Sequence, residues 1–318
     1  MTVFWQALRI FGFYPTQRKM QSFTNVYLYA RTVHQEDVRY VEEALTLLQS
    51  YDVNLYYHED FFKATTDYPS IGELIPTGAR FSVRNLSLHP GSIVIALGGD
   101  GTMLRVIHLL RGRQIPVLGI NLGRLGFLAG VKKTEIREAF NQLMSGQYLV
   151  EERTLIGITS KIEIFDNFPY ALNEFTIRRL DSSSMINVSL YINDELLNSY
   201  WADGLLVSTP TGSTAYSLSC GGPILFPKSG NFVITAVAPH NLSVRPVVIS
   251  DTLRIKLQVK GRANNFMVTL DSRHAYITRE QEITLEKAPF KAQLVYVGSS
   301  SFMKRIREKL HWGEDRRN

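Results

Sequence analysis

The chain is 318 residues long, 45% apolar and 20% charged, with a formal net charge of +6 at neutral pH, which is enough for two domains with buried cores. Its single cysteine, Cys220, excludes an intramolecular disulfide and points to a reducing, cytoplasmic setting, and no stretch is long and apolar enough for a membrane helix. The positive balance suits a solvated surface or the attraction of an anionic ligand; without zinc-finger spacing, a basic helix beside heptads or an aromatic RNA-binding signature, nucleic acid is not an expected partner.

Residues 1–20 lack the charged start and continuous apolar run of a signal peptide and read as an N-terminal extension outside the fold. From there the chain alternates strands and helices. "NVYLYA" (25–30) is a short apolar run suited to a buried strand, and Val38, Val41, Leu45 and Leu48 follow at helical spacing. "VNLYYH" (53–58), "SIVIAL" (92–97) and "PVLGIN" (116–121) continue the strands. A helix beginning near Thr102 should end at Gly112, and another should run from an N-cap at Thr134 to Gly146. Residues 21–147 are therefore expected to form an α/β domain with a parallel, Rossmann-like sheet.

Beyond that the periodicity changes to short strands divided by Asn-Asp, Gly and Pro turns, with Asn193-Asp194 as a hairpin turn. Residues 148–300 should be an all-β sandwich, followed by a helix and tail over 301–318. One piece, "TPTGSTAYSLSCGGPILFP" (209–227), is too rich in Gly, Ser and Thr for a core strand, and such a polar interruption suggests function.

The other unusual stretch is "ALGGDGT", where a strand runs into Gly98, Gly99, Asp100, Gly101 and Thr102. Glycines there leave no Cβ between backbone amides and a phosphate, and a helix N-terminus offers partial positive charge. Asp100 is then a puzzle, because a carboxylate repels phosphate. Either a bridging Mg²⁺ or a substrate hydroxyl whose proton Asp100 accepts resolves it. Equally, Asp-Gly is a common turn dipeptide and Asp100 can simply cap the helix. The glycines of "GINLGRLGFLAG" suit either tight strand–helix packing or a ligand. No Walker A sequence and no GxGxxG after the first strand is present.

Taken together, "GGDGT" (98–102), "NLGRLGFL" (121–128), "LNEF" (172–175) and "DGLLVSTPTGSTAYSLSCGGPI" (203–224) resemble the NAD kinase family, over residues 24 to 300 or so. The first motif alone is shared with diacylglycerol and sphingosine kinases and with phosphofructokinases; the last is the specific one. The resemblance implies phosphorylation of the adenosine-ribose 2′-hydroxyl of NAD, with ATP or polyphosphate as donor and Mg²⁺ carried on the nucleotide phosphates. It implies Asp100 as proton acceptor, Gly101 and Arg105 near phosphate, and Phe127 near a base or ribose. Asn173 and Glu174 match the substrate-binding pair, and Asp203 the aspartate that holds a ribose or nicotinamide group. Thr214, Ala215, Tyr216, Ser217, Leu218 and Ser219, with Thr211 nearby, match the adenosine-recognition segment. Ser184, Trp201, Ala238 and Arg273 align with positions near the ligand, Trp201 being a departure from the basic or polar residues of relatives. A homodimer or homotetramer is implied as well. The alternatives are a lipid kinase and a non-catalytic dinucleotide-binding sensor.

Overall fold

The computed structural model describes residues 23–75, 80–82, 89–124, 126–160, 164–165, 167–180, 185–298 and 301–312. The expected extension (1–20), Ser184 and the end of the expected tail lie outside the described residues. The chain forms two compact units. One holds the described residues up to Val106, Ile115–Glu151 and those from Gln293 onward; the other holds Ile107–Gln114 and Glu152–Ala292.

In the first unit β1 (Asn25–Ala30), β2 (Asn54–His58), β3 (Arg80–Phe81), β4 (Ser92–Leu97), β5 (Pro116–Asn121) and β6 (Val131–Lys132) pair in parallel. Residues Gln293–Val295 add a parallel strand beside β5, which is why the chain's end belongs here. Every residue of β1 and β4 is buried, as strands covered on both faces require. Helix α1 (Val38–Gln49) buries Val38, Val41, Ala44, Leu45 and Leu48, the face legible in the sequence. Two short helices not foreseen, α2 (Glu59–Thr65) and α3 (Pro69–Glu73), follow β2. Helix α4 (Asp100–Leu110) starts two residues before Thr102, so Asp100 lies inside its first turn. Helix α5 (Ile136–Met144) is preceded by a 3-10 turn at Lys133–Glu135 that absorbs Thr134, so the N-cap is Glu135 rather than Thr134. Gly112 and Gly146 follow α4 and α5 with φ of 78° and 73°, the left-handed stops expected of them.

Across this sheet the order is β5, β4, β1, β2, β3, so the winding reverses between β1 and β4. Ligands of open parallel sheets bind beyond strand ends at such a reversal. The Gly98–Thr102 turn leaves β4 at that point.

β7 (Tyr148–Ile158) carries the chain into the second unit, which is antiparallel: β8 (Tyr170–Ala171), β9 (Glu174–Arg178), β10 (Ile186–Ile192), β11 (Glu195–Ala202) and β12 (Gly204–Ser208) precede the polar 209–227 segment. β13 (Asn231–Val237), β14 (Val247–Ser250), β15 (Ile255–Lys260), β16 (Asn265–Leu270), β17 (Arg273–Thr278) and β18 (Glu282–Val297) follow it. One sheet runs β11-β10-β15-β18, the other β14-β13-β12-β9-β16-β17. Alternating side chains from both fill the core: Phe175, Ile177, Leu205, Val207 and Phe266 from one, Val188, Leu190, Leu257 and Leu285 from the other. Each such burial contributes roughly 1.5–3 kcal/mol. Asn193 and Asp194 turn the β10–β11 hairpin with φ of 48° and 70°, as their identity predicts. The fold class expected from the sequence, a parallel α/β domain followed by an all-β sandwich, is the one observed. Among the described residues no helix is long and apolar enough to cross a membrane.

Candidate active site

In the first unit the site is built around Asp100. Gly98, with φ of 149°, turns the chain out of β4, and its amide donates to the Ile120 carbonyl of β5 at 2.9 Å. The Gly99 carbonyl then accepts from Thr102 and Met103 at 3.0 and 3.2 Å, closing the first turn of α4. The amides of Gly99, Asp100 and Gly101 head the helix, where no preceding carbonyl can reach them. These are donors suited to phosphate.

The Asp100 carboxylate is held by main-chain donors of another segment. It accepts three successive amides of the "NLGRLGFL" segment and its continuation: Phe127 N–H at 2.8 Å on Oδ2, Leu128 and Ala129 N–H at 3.0 and 3.1 Å on Oδ1. Gly126 lies so close that a Cβ would overlap the carboxylate. Asn121 braces the same loop, donating to Arg124 O and accepting from Gly123 N, each at 2.8 Å. A carboxylate offers about four lone-pair directions. Three are used, and the open one is on Oδ2.

Arg105, in the second turn of α4, is exposed. It hydrogen-bonds the Tyr29 hydroxyl, which donates to Asp60 Oδ2 at 3.2 Å. Burial pushes the Tyr29 phenol up to about 12, and burial lowers the pKa of nearby His58, with Arg105 adding in the same direction.

In the second unit Asn173 and Glu174 stand at the start of β9. The 209–213 turn packs directly on them: Thr209 N–H donates to Asn173 O at 2.8 Å and its hydroxyl to Leu172 O at 2.5 Å. A Cβ at Gly212 would overlap the Asn173 carbonyl. Buried Arg153 donates to Thr211 Oγ1 at 3.3 Å, Thr214 Oγ1 donates back to Thr211 O at 3.1 Å, and the Ser217 and Thr235 hydroxyls share a bond at 3.0 Å. The Gly212–Thr214 turn and helix α6 (Tyr216–Ser219) thus present Ala215, Tyr216, Leu218 and Ser219 on a braced loop.

Glu174 is the electrostatic centre of this half. Burial, reinforced by the charge of Asp271, pushes its carboxyl up to about 8, and its Oε2 has no hydrogen-bond partner among the described residues. The Cys220 thiol is raised by burial, with Glu174 contributing. Tyr216 lies within the fields of Cys220, Arg178 and Asp203. Asp203 accepts from Arg179 Nη2 at 2.9 Å, and its own amide donates to Val237 O at 3.0 Å. Exposed Trp201 is joined to the turn after β13, its carbonyl accepting from His240 N–H at 2.8 Å, and Ala238 in that turn has φ of 45°. Trp201, Asp203 and Ala238 are therefore neighbours. Arg273 spends its guanidinium on the Phe168 carbonyl at 2.7 Å and on that of Tyr170, bracing the segment that leads into Asn173.

Asp271, Arg153 and Arg179 hold these residues and were not singled out from the sequence. An acid in a hairpin turn is routine, and Asp271 acts on a segment 98 positions away, so spacing carries no sign of it. Among the described residues no group of three or more His, Cys, Asp and Glu is placed to hold a metal ion.

A glycine turn at the reversal of a parallel sheet, followed in the chain by an antiparallel unit with a braced polar loop, defines a protein of the phosphate-handling α/β class. Residues 30–148 match the model of the ATP-NAD kinase N-terminal domain and residues 172–297 that of the ATP-NAD kinase C-terminal domain. The NAD kinase of Cytophaga hutchinsonii is 42% identical over 292 residues, 92% of this chain and 99% of that protein. That of Flavobacterium psychrophilum is 50% identical over 228 residues, 71% and 78% of the two chains. Yeast NADH kinase complexed with NADH is similar at a TM-score of 0.78 and 25% identity, over 93% of this chain and 89% of that one. An NAD kinase from Archaeoglobus fulgidus in complex with ATP shares the fold at a TM-score of 0.67 and 23% identity, over 90% and 98%. The chain belongs to the NAD kinase family.

Proposed function

We propose that this protein transfers the terminal phosphoryl group of ATP, or of polyphosphate, to the 2′-hydroxyl of the adenosine ribose of NAD, giving NADP. The observation that carries this reading is the joint match of residues 30–148 and 172–297 to the two ATP-NAD kinase domains. Nothing favours a lipid kinase.

In this reading the amides of Gly99, Asp100 and Gly101, with Gly98 and Thr102 shaping the turn, hold the donor phosphates, and Arg105 supplies positive charge nearby. Asn173, Glu174, Asp203, Tyr216 and the hydroxyls of the 211–219 loop hold the dinucleotide, with Phe127, Trp201 and Ala238 lining it. As the ribose oxygen bonds to phosphorus and the phosphorus–oxygen bond to ADP breaks, the hydroxyl proton passes to the open lone pair of Asp100 Oδ2. Catalysis rests on positioning and charge neutralisation. The acidic residue of the turn is already committed to three amides, so the residues present do not fit a protein-held metal cage. A divalent cation such as Mg²⁺ would be held by the phosphates of ATP, where it would supply charge neutralisation.

Incubating the protein with ATP, Mg²⁺ and NAD and detecting NADP with a coupled dehydrogenase tests the proposal. NADP formation supports it. Phosphorylation of diacylglycerol instead, or NAD binding without turnover, would move the protein to one of the alternatives. A homodimer or homotetramer belongs to the same reading, and mass in solution decides it.

A further inference from the structure

Asp271 and Ser272 form the turn between β16 and β17, with Asp271 at φ of 53°, a conformation that Asp tolerates better than most residues. Its carboxylate turns inward to a remote segment. Oδ2 accepts from Leu172 N–H at 2.9 Å, and Oδ1 accepts from Asn173 and Glu174 N–H at 2.8 and 3.3 Å. The Asp271 amide donates in return to Glu174 O at 3.0 Å. Three successive amides converging on one point form a concavity that ordinarily takes an anion. Here the anion is a side chain. From the other side Thr209 occupies the Leu172 and Asn173 carbonyls. The backbone that carries Asn173 and Glu174 is thus clamped between a hairpin turn and the polar loop.

A neutral acceptor would not serve. Asparagine would present one oxygen to three amides and turn its NH₂ toward the others. The carboxylate also places negative charge beside Glu174, at a desolvation cost of its own: burial raises the Asp271 carboxyl, opposed by the three amides and Arg273.

We propose that Asp271 is a positioning residue for the dinucleotide, setting the placement of Asn173 and Glu174 before NAD arrives. This rests on the NAD kinase reading, and it assigns Asp271 a part in NAD capture separate from the donor phosphates.

The test compares the wild type, Asp271→Asn and Ser272→Ala in the full chain, with NAD and ATP varied separately. Asp271→Asn should raise KM for NAD at least ~10-fold, since small misplacements of binding groups cost one to two orders of magnitude, and leave KM for ATP nearly unchanged. Ser272→Ala, in the same turn without the carboxylate, should leave both unchanged. In the wild type the KM for NAD should show a transition near pH 8 from Glu174, which Asp271 and Cys220 face. Removing the Asp271 charge should move that transition to lower pH. Unaltered KM for NAD in Asp271→Asn, or equal rises for NAD and ATP, overturns the proposal. Should the variant not fold, amide hydrogen exchange of the wild type decides: protection of residues 172–174 without NAD supports preorganisation, and protection only with NAD overturns it. A wild type that makes no NADP defeats the kinase reading itself, whereas an active wild type with an indifferent variant defeats this inference alone.

Discussion

Gly126 and Asp100 lie so close that residue 126 has no room for a side chain: a Cβ there would overlap the Asp100 carboxylate. The glycine lets three amides close over an acid that would otherwise repel phosphate. Gly126→Ala should push the carboxylate out of its cradle. The expected result is a fall in kcat of at least ~10-fold, as for a displaced acid–base group, and a loss of about 1–3 kcal/mol in stability from overpacking. Steady-state kinetics and thermal melting check both.

Gly212 has the same relation to Asn173, but the obstruction is backbone, which cannot rotate away. Gly212→Ala should therefore loosen the loop from the start of β9. A destabilisation of about 1–3 kcal/mol is expected, together with weaker NAD binding by calorimetry. An alanine variant that melts and binds like the parent contradicts the packing described.

Glu174 makes stability depend on pH. Its folded pKa, about 8, lies above the ordinary carboxylate value, so between the two the folded chain keeps a proton that the unfolded chain has released. This group's contribution is greatest at acid pH and falls as pH rises toward 8, with no further loss above. Glu174→Gln should flatten that part of the profile and melt higher than the parent at pH 9, by on the order of a few °C for a chain of this size. Melting curves of the apo protein from pH 5 to 9 are the check, and a parent whose stability climbs through that window through this group is the contrary result.

Much of this was legible in the sequence because it is local. β1 and β4 are continuous apolar runs, the buried face of α1 has helical spacing, and Asn193-Asp194 has the residues a hairpin turn demands. The motifs carrying Asp100, Asn173-Glu174 and the 209–219 loop identified the family. What spacing could not convey is which segments meet. Asp100 is answered by amides 27 to 29 residues away and Asp271 by amides 97 to 99 away, and backbone donors have no side-chain identity to recognise. The start of α4 and the Glu135 N-cap were misplaced for a similar reason: tertiary contacts and a 3-10 turn override the nearest good capping residue.

The most direct measurement is turnover by Asp100→Asn with NAD binding and melting temperature followed in parallel. A carboxylate anchored on three main-chain donors, with one acceptor direction left for the ribose proton, predicts a variant that melts lower, because its NH₂ must face at least one of those donors, and that still binds NAD while kcat falls by at least ~10²-fold. A variant that binds NAD and turns over at close to the parental rate would contradict it.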